Sequence, residues 1–189
     1  ILSLTFLILS FSKIKNNSSQ FYISTILFNS LLLGVSWATN TWLIPVQLFL
    51  IFSFSLIHFK NWKDLLYTIK AATLYTGAIL FIGYLFFLPF HSNFTSPFTG
   101  FGANEFHTRI FDFVEIHYLS LTVIFIFIFT ILLPKIRNKF SKNKFYPQII
   151  TLLITAILIA IFVETFKVQN DIGRMNTFFK FYLQIWILI

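Results

Sequence analysis

The chain contains no cysteine. A disulfide framework and a thiolate metal site are both excluded by that absence. Charge is scarce as well: Asp, Glu, Lys and Arg make up 11% of the residues, where a soluble domain carries about 25%. So few charges leave no polar surface suited to water, and 57% of the chain is hydrophobic. The scarcity is uneven. No charged residue occurs between Lys15 and Lys60, Lys70 and Glu105, Glu115 and Lys135, or Lys144 and Glu164. A membrane-crossing helix takes about 20 apolar residues at a rise of about 1.5 Å each. The first gap is long enough for two such helices and a turn, the second for one helix and an uncharged loop, and the last two for one helix each. No repeat of fixed period, soluble domain or linker interrupts the pattern. A basic n-region and cleavage site of a signal peptide are also missing.

What is present is a series of apolar segments: 1–11, 21–38, 43–59, 66–88, 113–133, 147–163 and 177–189. In hydrocarbon, backbone groups must be bonded within their own segment, so each is expected to be a helix. The expectation is an all-α, polytopic transmembrane bundle of about seven spans, one domain over residues 1–189. The first and last spans read as truncated, because Ile1 already stands in an apolar run and 181–189 break off inside one. Pro45, Pro89, Pro97, Pro134 and Pro147 fall between the segments or near their ends.

Basic residues set the orientation. The first, third and fifth connections hold Lys13 and Lys15; Lys60, Lys63 and Lys70; and Lys135, Arg137, Lys139, Lys142 and Lys144. These are ten of the fourteen basic residues, and that side is expected to be cytoplasmic. The opposite side holds only Arg109, Lys167, Arg174 and Lys180, with five of the six acids: Glu105, Asp112, Glu115, Glu164 and Asp171. The net charge of +8 is thus a topology signal. Cations split among short loops do not form a nucleic-acid surface.

Three connections, 39–42, 89–112 and 164–176, are then extracytoplasmic. The first, with Asn40 and Trp42, also suits a plain turn with an interfacial Trp. The second is long, and its aromatic residues suggest that it folds back onto the membrane surface. It contains His91 and His107, but their spacing with His117 matches no metal-ligand pattern. The third is the most informative. On a helix starting near Asn176, residues Asn176, Lys180 and Gln184 are four apart and share one face, with Thr177 beside them. Snorkelling explains a lysine one turn below the surface but not a glutamine below it on the same stripe, so the stripe is expected to face the bundle interior. Arg174, Lys180 and the unpaired N–H groups of the helix start would suit a phosphate.

The run Asp171-Ile-Gly-Arg174-Met-Asn176-Thr177-Phe-Phe-Lys180-Phe-Tyr182-Leu-Gln184-Ile-Trp186 resembles the closing motif of the YYY family of integral membrane proteins. Gly34-Val-Ser-Trp-Ala-Thr39-Asn40-Thr41-Trp42-Leu43-Ile44-Pro45 resembles a second motif of that family, and Leu88 to Pro97 a third, in the same order. One departure is Leu43, where the family usually has Asp. The family is similar to the C-superfamily glycosyltransferases, which take a sugar from a polyprenyl-phosphate carrier on the external face. The resemblance implies that Arg174 and Lys180 bind the carrier phosphate, that Asn176 and Gln184 orient it, and that Asp171 or Glu164 is a metal ligand or general base. Asn40, Trp42 and His91 complete the implied binding set. The cofactor stays open, with a divalent metal as the candidate; the partners implied are membrane lipid and a polyprenyl-phosphate sugar. A transporter or flippase for a lipid-linked or anionic solute, and a scaffold subunit without chemistry, are the alternatives.

Overall fold

The computed structural model describes Ile8 and residues 19–61, 63–95, 100–140, 142–143, 145–169 and 173–189. Among the described residues the fold is helical apart from one small sheet. The helices are α1 (Ser19–Thr39), α2 (Leu43–His58), α3 (Leu65–Phe86), α4 (Leu88–Asn93), α5 (Ile110–Leu132), α6 (Pro134–Phe140), α7 (Tyr146–Thr165) and α8 (Gly173–Leu188), and the strands are β1 (Phe101–Ala103) and β2 (Phe166–Val168). Among the described residues, α1, α3, α5 and α7 are long and apolar enough to cross a membrane, at 20 to 23 residues each. At about 1.5 Å per residue they match a hydrocarbon layer of about 30 Å. α2 and the segment Thr177–Leu188 are shorter apolar helices. The first expected span, 1–11, lies outside the described residues except for Ile8.

Local chemistry sets the helix ends. Asp64 caps α3 by accepting a hydrogen bond from the Tyr67 N–H at 2.8 Å. Pro134 cannot continue the ladder of α5, and Leu133 before it is extended, so α5 stops and Pro134 opens α6. Pro45, Pro89 and Pro147 stand in first turns, where a missing N–H leaves nothing unpaired. Buried hydroxyls and amides inside the spans bond backward to their own helix: Thr25 to Phe21 O, Asn29 to Thr25 O, Ser55 to Ile51 O and Thr155 to Thr151 O. In an apolar solvent this is the partner always within reach.

The chain divides into two compact units, Ile1–Phe94 and Thr95–Ile189. In the first, α1, α2 and α3 pack together around Leu33, Leu50, Phe54 and Ile79. α1 and α3 come close at Gly34 and Gly83: a Cβ at Gly83 would stand 2.8 Å from the Ser30 carbonyl oxygen. Small residues at a helix crossing are how membrane helices gain contact, because lipid supplies no hydrophobic drive between them. In the second unit, α7 packs on α8, and the two strands pair antiparallel with Gly102 opposite Lys167. Two features of the 89–112 and 164–176 connections differ from a plain loop: α4 and the β1–β2 ribbon. Each lies where an aromatic-rich stretch can bond its backbone without crossing the hydrocarbon.

Candidate functional site

Glu164 lies near the C-terminal end of α7, and the second unit's polar groups converge on it. Its Oε1 accepts hydrogen bonds from Thr108 Oγ1 at 2.8 Å and Tyr182 OH at 3.0 Å, and its Oε2 accepts from the Thr108 N–H at 3.0 Å. Its carbonyl oxygen lies 2.9 Å from His107 Nδ1; a carbonyl only accepts, so that nitrogen carries the proton. Beside it, Asn104 Nδ2 donates to the carbonyls of Val163, Glu164 and Phe166, and the Asn104 N–H donates to Thr165 O. A helix end leaves its last carbonyls unpaired, and Asn104 meets them here. The 100–108 loop is thereby fastened across the end of α7. Gly100 stands at φ +150°, a conformation side chains rarely adopt, and its carbonyl receives the Gln169 N–H at 2.9 Å. On the exposed rim, Lys167 Nζ pairs with Glu105 at 2.9 Å, and this hydrogen bond and charge hold the Glu105 carboxyl below the usual carboxylate range.

His117 of α5 is buried between Tyr182, at 4.4 Å between ring centroids, and Phe113, at 4.7 Å. α8 buries Thr177, Phe181, Gln184, Ile185 and Leu188. Thr177 and Gln184 thus face inward, as the spacing of the stripe predicts. Gln184 Nε2 donates to the Lys180 carbonyl at 3.1 Å, and the Thr177 hydroxyl accepts the Val168 N–H at 3.4 Å. Lys180 is half-buried. Asp171 lies outside the described residues. Arg174 and Asn176 are placed in the first turn of α8, and their side chains are outside what is described.

The remaining expected residues belong to the first unit. Asn40 Oδ1 accepts the Trp42 N–H at 3.2 Å, and the Asn40 carbonyl accepts the Leu43 N–H at 3.0 Å, so Asn40 builds the α1–α2 turn. His91 on α4 stacks on Tyr84 at 4.6 Å and meets Trp37 edge-on at 4.7 Å. Gln47 Nε2 donates to Ser36 Oγ at 2.9 Å in the same unit.

A family model described as uncharacterized membrane protein (DUF2298) matches residues 1–151 and 136–189. The chain belongs to that family. No curated protein and no solved structure matches it. The DUF2298 chain is accordingly a membrane protein, as its charge gaps and long apolar helices require. Among the described residues no three His, Asp or Glu side chains gather as a metal site would need.

Sequence reading missed Thr108, Tyr182 and Asn104 as partners of α7. Tyr182 stands inside the closing motif, but nothing local links it to a carboxylate eighteen residues earlier. Thr108 and Asn104 are more than fifty residues from Glu164, and only the folded loop joins them.

Proposed function

We propose that this chain is the carrier-binding membrane part of a glycosyltransferase that takes a sugar from a polyprenyl-phosphate carrier on the extracytoplasmic face. The observation that carries the reading is the start of α8. The helix begins at Gly173, so Arg174 and Asn176 occupy its first turn and Lys180 follows inside the span, half-buried. A helix start leaves N–H groups without intrahelical partners and carries the positive end of the dipole, so a start with Arg174 in its first turn and Lys180 further along suits an anion presented by the bilayer. A guanidinium matches phosphate oxygens in bidentate fashion, and an ammonium adds a point charge. The resemblance of residues 171–186 to the closing motif of transferase-like membrane proteins supports a phosphate carrier as that anion.

Within this reading Arg174 and Lys180 hold the phosphate, and Asn176 orients it. Gln184 supports the turn that carries Lys180. Asp171 is the general base toward the acceptor, and Glu164 positions the 100–108 loop at the mouth of the site. Asn40, Trp42 and His91 belong to the first unit and to connections assigned by charge to the extracytoplasmic side, and Trp42 and the His91–Trp37–Tyr84 stack suit a sugar face. The excess of Lys and Arg in the alternate connections supports that orientation. The test is sugar transfer in membranes carrying Arg174→Ala or Lys180→Ala, with Lys180→Arg for comparison. Each alanine variant is expected to lose about two orders of magnitude of transfer at normal membrane abundance, the scale of removing one charge-stabilising donor. Full turnover in both alanine variants contradicts the phosphate cradle.

A further inference from the structure

Between α5 and α7 the chain carries Lys135, Arg137, Lys139, Lys142 and Lys144, and no Asp or Glu occurs between Glu115 and Glu164. The described acids of the second unit stand at the opposite ends of the spans: Glu105, Asp112 and Glu115 before or early in α5, and Glu164 in the last turn of α7. A span of helix, roughly 30 Å, separates them from this connection, and exposed charges are screened within about 8 Å. Lys135, Arg137, Lys139 and Lys142 are exposed, and among the described residues none of them is in an ion pair.

The connection has a defined course. Leu133 is extended before Pro134, and the Arg137 N–H closes the first turn of α6 on the Leu133 carbonyl at 2.9 Å. Asn143 then turns the chain into α7: its carbonyl accepts the Tyr146 N–H at 3.0 Å, and its Oδ1 accepts the Phe145 N–H at 3.0 Å. The Phe127 and Tyr146 rings, 6.0 Å apart between centroids, join α5 to α7 at this level. α6 is thus tied at both ends to spans, and at about 10 Å long it stays at the membrane surface. Ile136 is half-buried while Lys135, Arg137, Asn138 and Lys139 around it are exposed. A helix of seven residues is too short to hold itself in water, and Lys135 and Lys139, four apart, are a like-charge pair that disfavours the turn they share. Being tied at both ends offsets the first difficulty and leaves the second.

We propose that α6 and the turn after it bind anionic phospholipid headgroups, with the cations on the phosphates and Ile136 toward the upper acyl chains. The headgroup layer is the anionic phase at the level where α6 lies. Arg137 can take phosphate oxygens in pairs, and long lysines run along apolar surface while their ammonium groups stay among the headgroups. Each cation beside a span strengthens attachment to an anionic leaflet about fivefold. Lys60, Lys63 and Lys70 share their own connection with Asp64, and so supply a control of equal charge count. The inference needs only that α5 and α7 cross a membrane and uses no residue of the transfer reading, so either can fail alone.

The experiment is native mass spectrometry of the whole chain in nonionic detergent, titrated with phosphatidylglycerol and phosphatidylcholine of the same acyl chains. Phosphatidylglycerol is expected to be retained more than about tenfold more tightly, since two cations at about fivefold each already exceed that. Lys135→Gln, Arg137→Gln and Lys139→Gln together should erase the preference at an unchanged unfolding temperature. Lys60→Gln, Lys63→Gln and Lys70→Gln together should keep most of it. If the α6 variant does not fold, the unaltered chain carries the test: hydrogen exchange across 134–146 should slow with phosphatidylglycerol and not with phosphatidylcholine, and high salt should remove the effect. Absence of a preference in the folded chain overturns the proposal, as does a preference that survives the α6 substitutions or falls equally with the control set. Equal slowing of exchange by inorganic phosphate at the same concentration also overturns it, because the segment would then be a site for free anions.

Discussion

Glu164 Oε1 receives two side-chain hydroxyls, one from the loop before α5 and one from α8. Either donor alone leaves the other in place, so Thr108→Val and Tyr182→Phe should each destabilise the second unit by about 1–2 kcal/mol, the range for hydrogen bonds to a charged group or within a membrane. Removing both is expected to exceed the sum of the two, because both donors serve one oxygen and the charge then loses both side-chain donors. Thermal unfolding in detergent of the two single variants and the double variant checks this; strict additivity would mean that the two hydroxyls act independently of Glu164. At this scale the sequence was least informative. Of the stripe Asn176, Lys180 and Gln184, spaced four apart on a helix that repeats every 3.6 residues, Gln184 is buried and Lys180 half-buried, and Thr177 beside the stripe is buried. The grip on Glu164 was not legible in spacing, because Thr108 and Tyr182 reach it only after three elements have packed.

Helix α3 crosses α1 at a place where backbone meets backbone. A Cβ at Gly83 would stand 2.8 Å from the Ser30 carbonyl oxygen, an atom with no freedom to turn away. Gly83→Ala should therefore push the helices apart and destabilise the first unit by about 1–3 kcal/mol. Gly77 on the same helix has nothing within 4 Å of its would-be Cβ, so Gly77→Ala should be neutral or slightly stabilising through helix propensity. Unfolding temperatures of the two variants measured side by side separate packing from propensity; equal shifts would remove the close crossing as the explanation. The spans themselves were legible, since apolar length and charge gaps dictate them: segments 21–38, 66–88, 113–133 and 147–163 all coincide with long helices. The short helices and the ribbon were not. α4 opens at a proline in a stretch that reads as loop, and β1 pairs with β2 across sixty-odd residues with no local sign of the partnership.

At the scale of the whole chain, four helices among the described residues are long and apolar enough to cross a membrane. The exposed faces of the long helices carry large apolar side chains such as Leu74, Phe81, Leu119 and Phe125, which suit lipid and not water. Apart from Lys180 and Gln184 in α8 and Trp37 and Tyr84 in α1 and α3, the residues assigned to carrier and sugar belong to the connections poor in Lys and Arg, so the transfer reading depends on that side facing away from the cytoplasm. The absence of cysteine makes the dependence testable without background. Single cysteines at the exposed positions Ser92, Met175 and Lys63 can be probed in intact cells with a maleimide that does not cross membranes. The account predicts labelling of Ser92→Cys and Met175→Cys from outside, and of Lys63→Cys only after permeabilisation. Labelling of Met175→Cys only after permeabilisation, with Lys63→Cys labelled in intact cells, would contradict it.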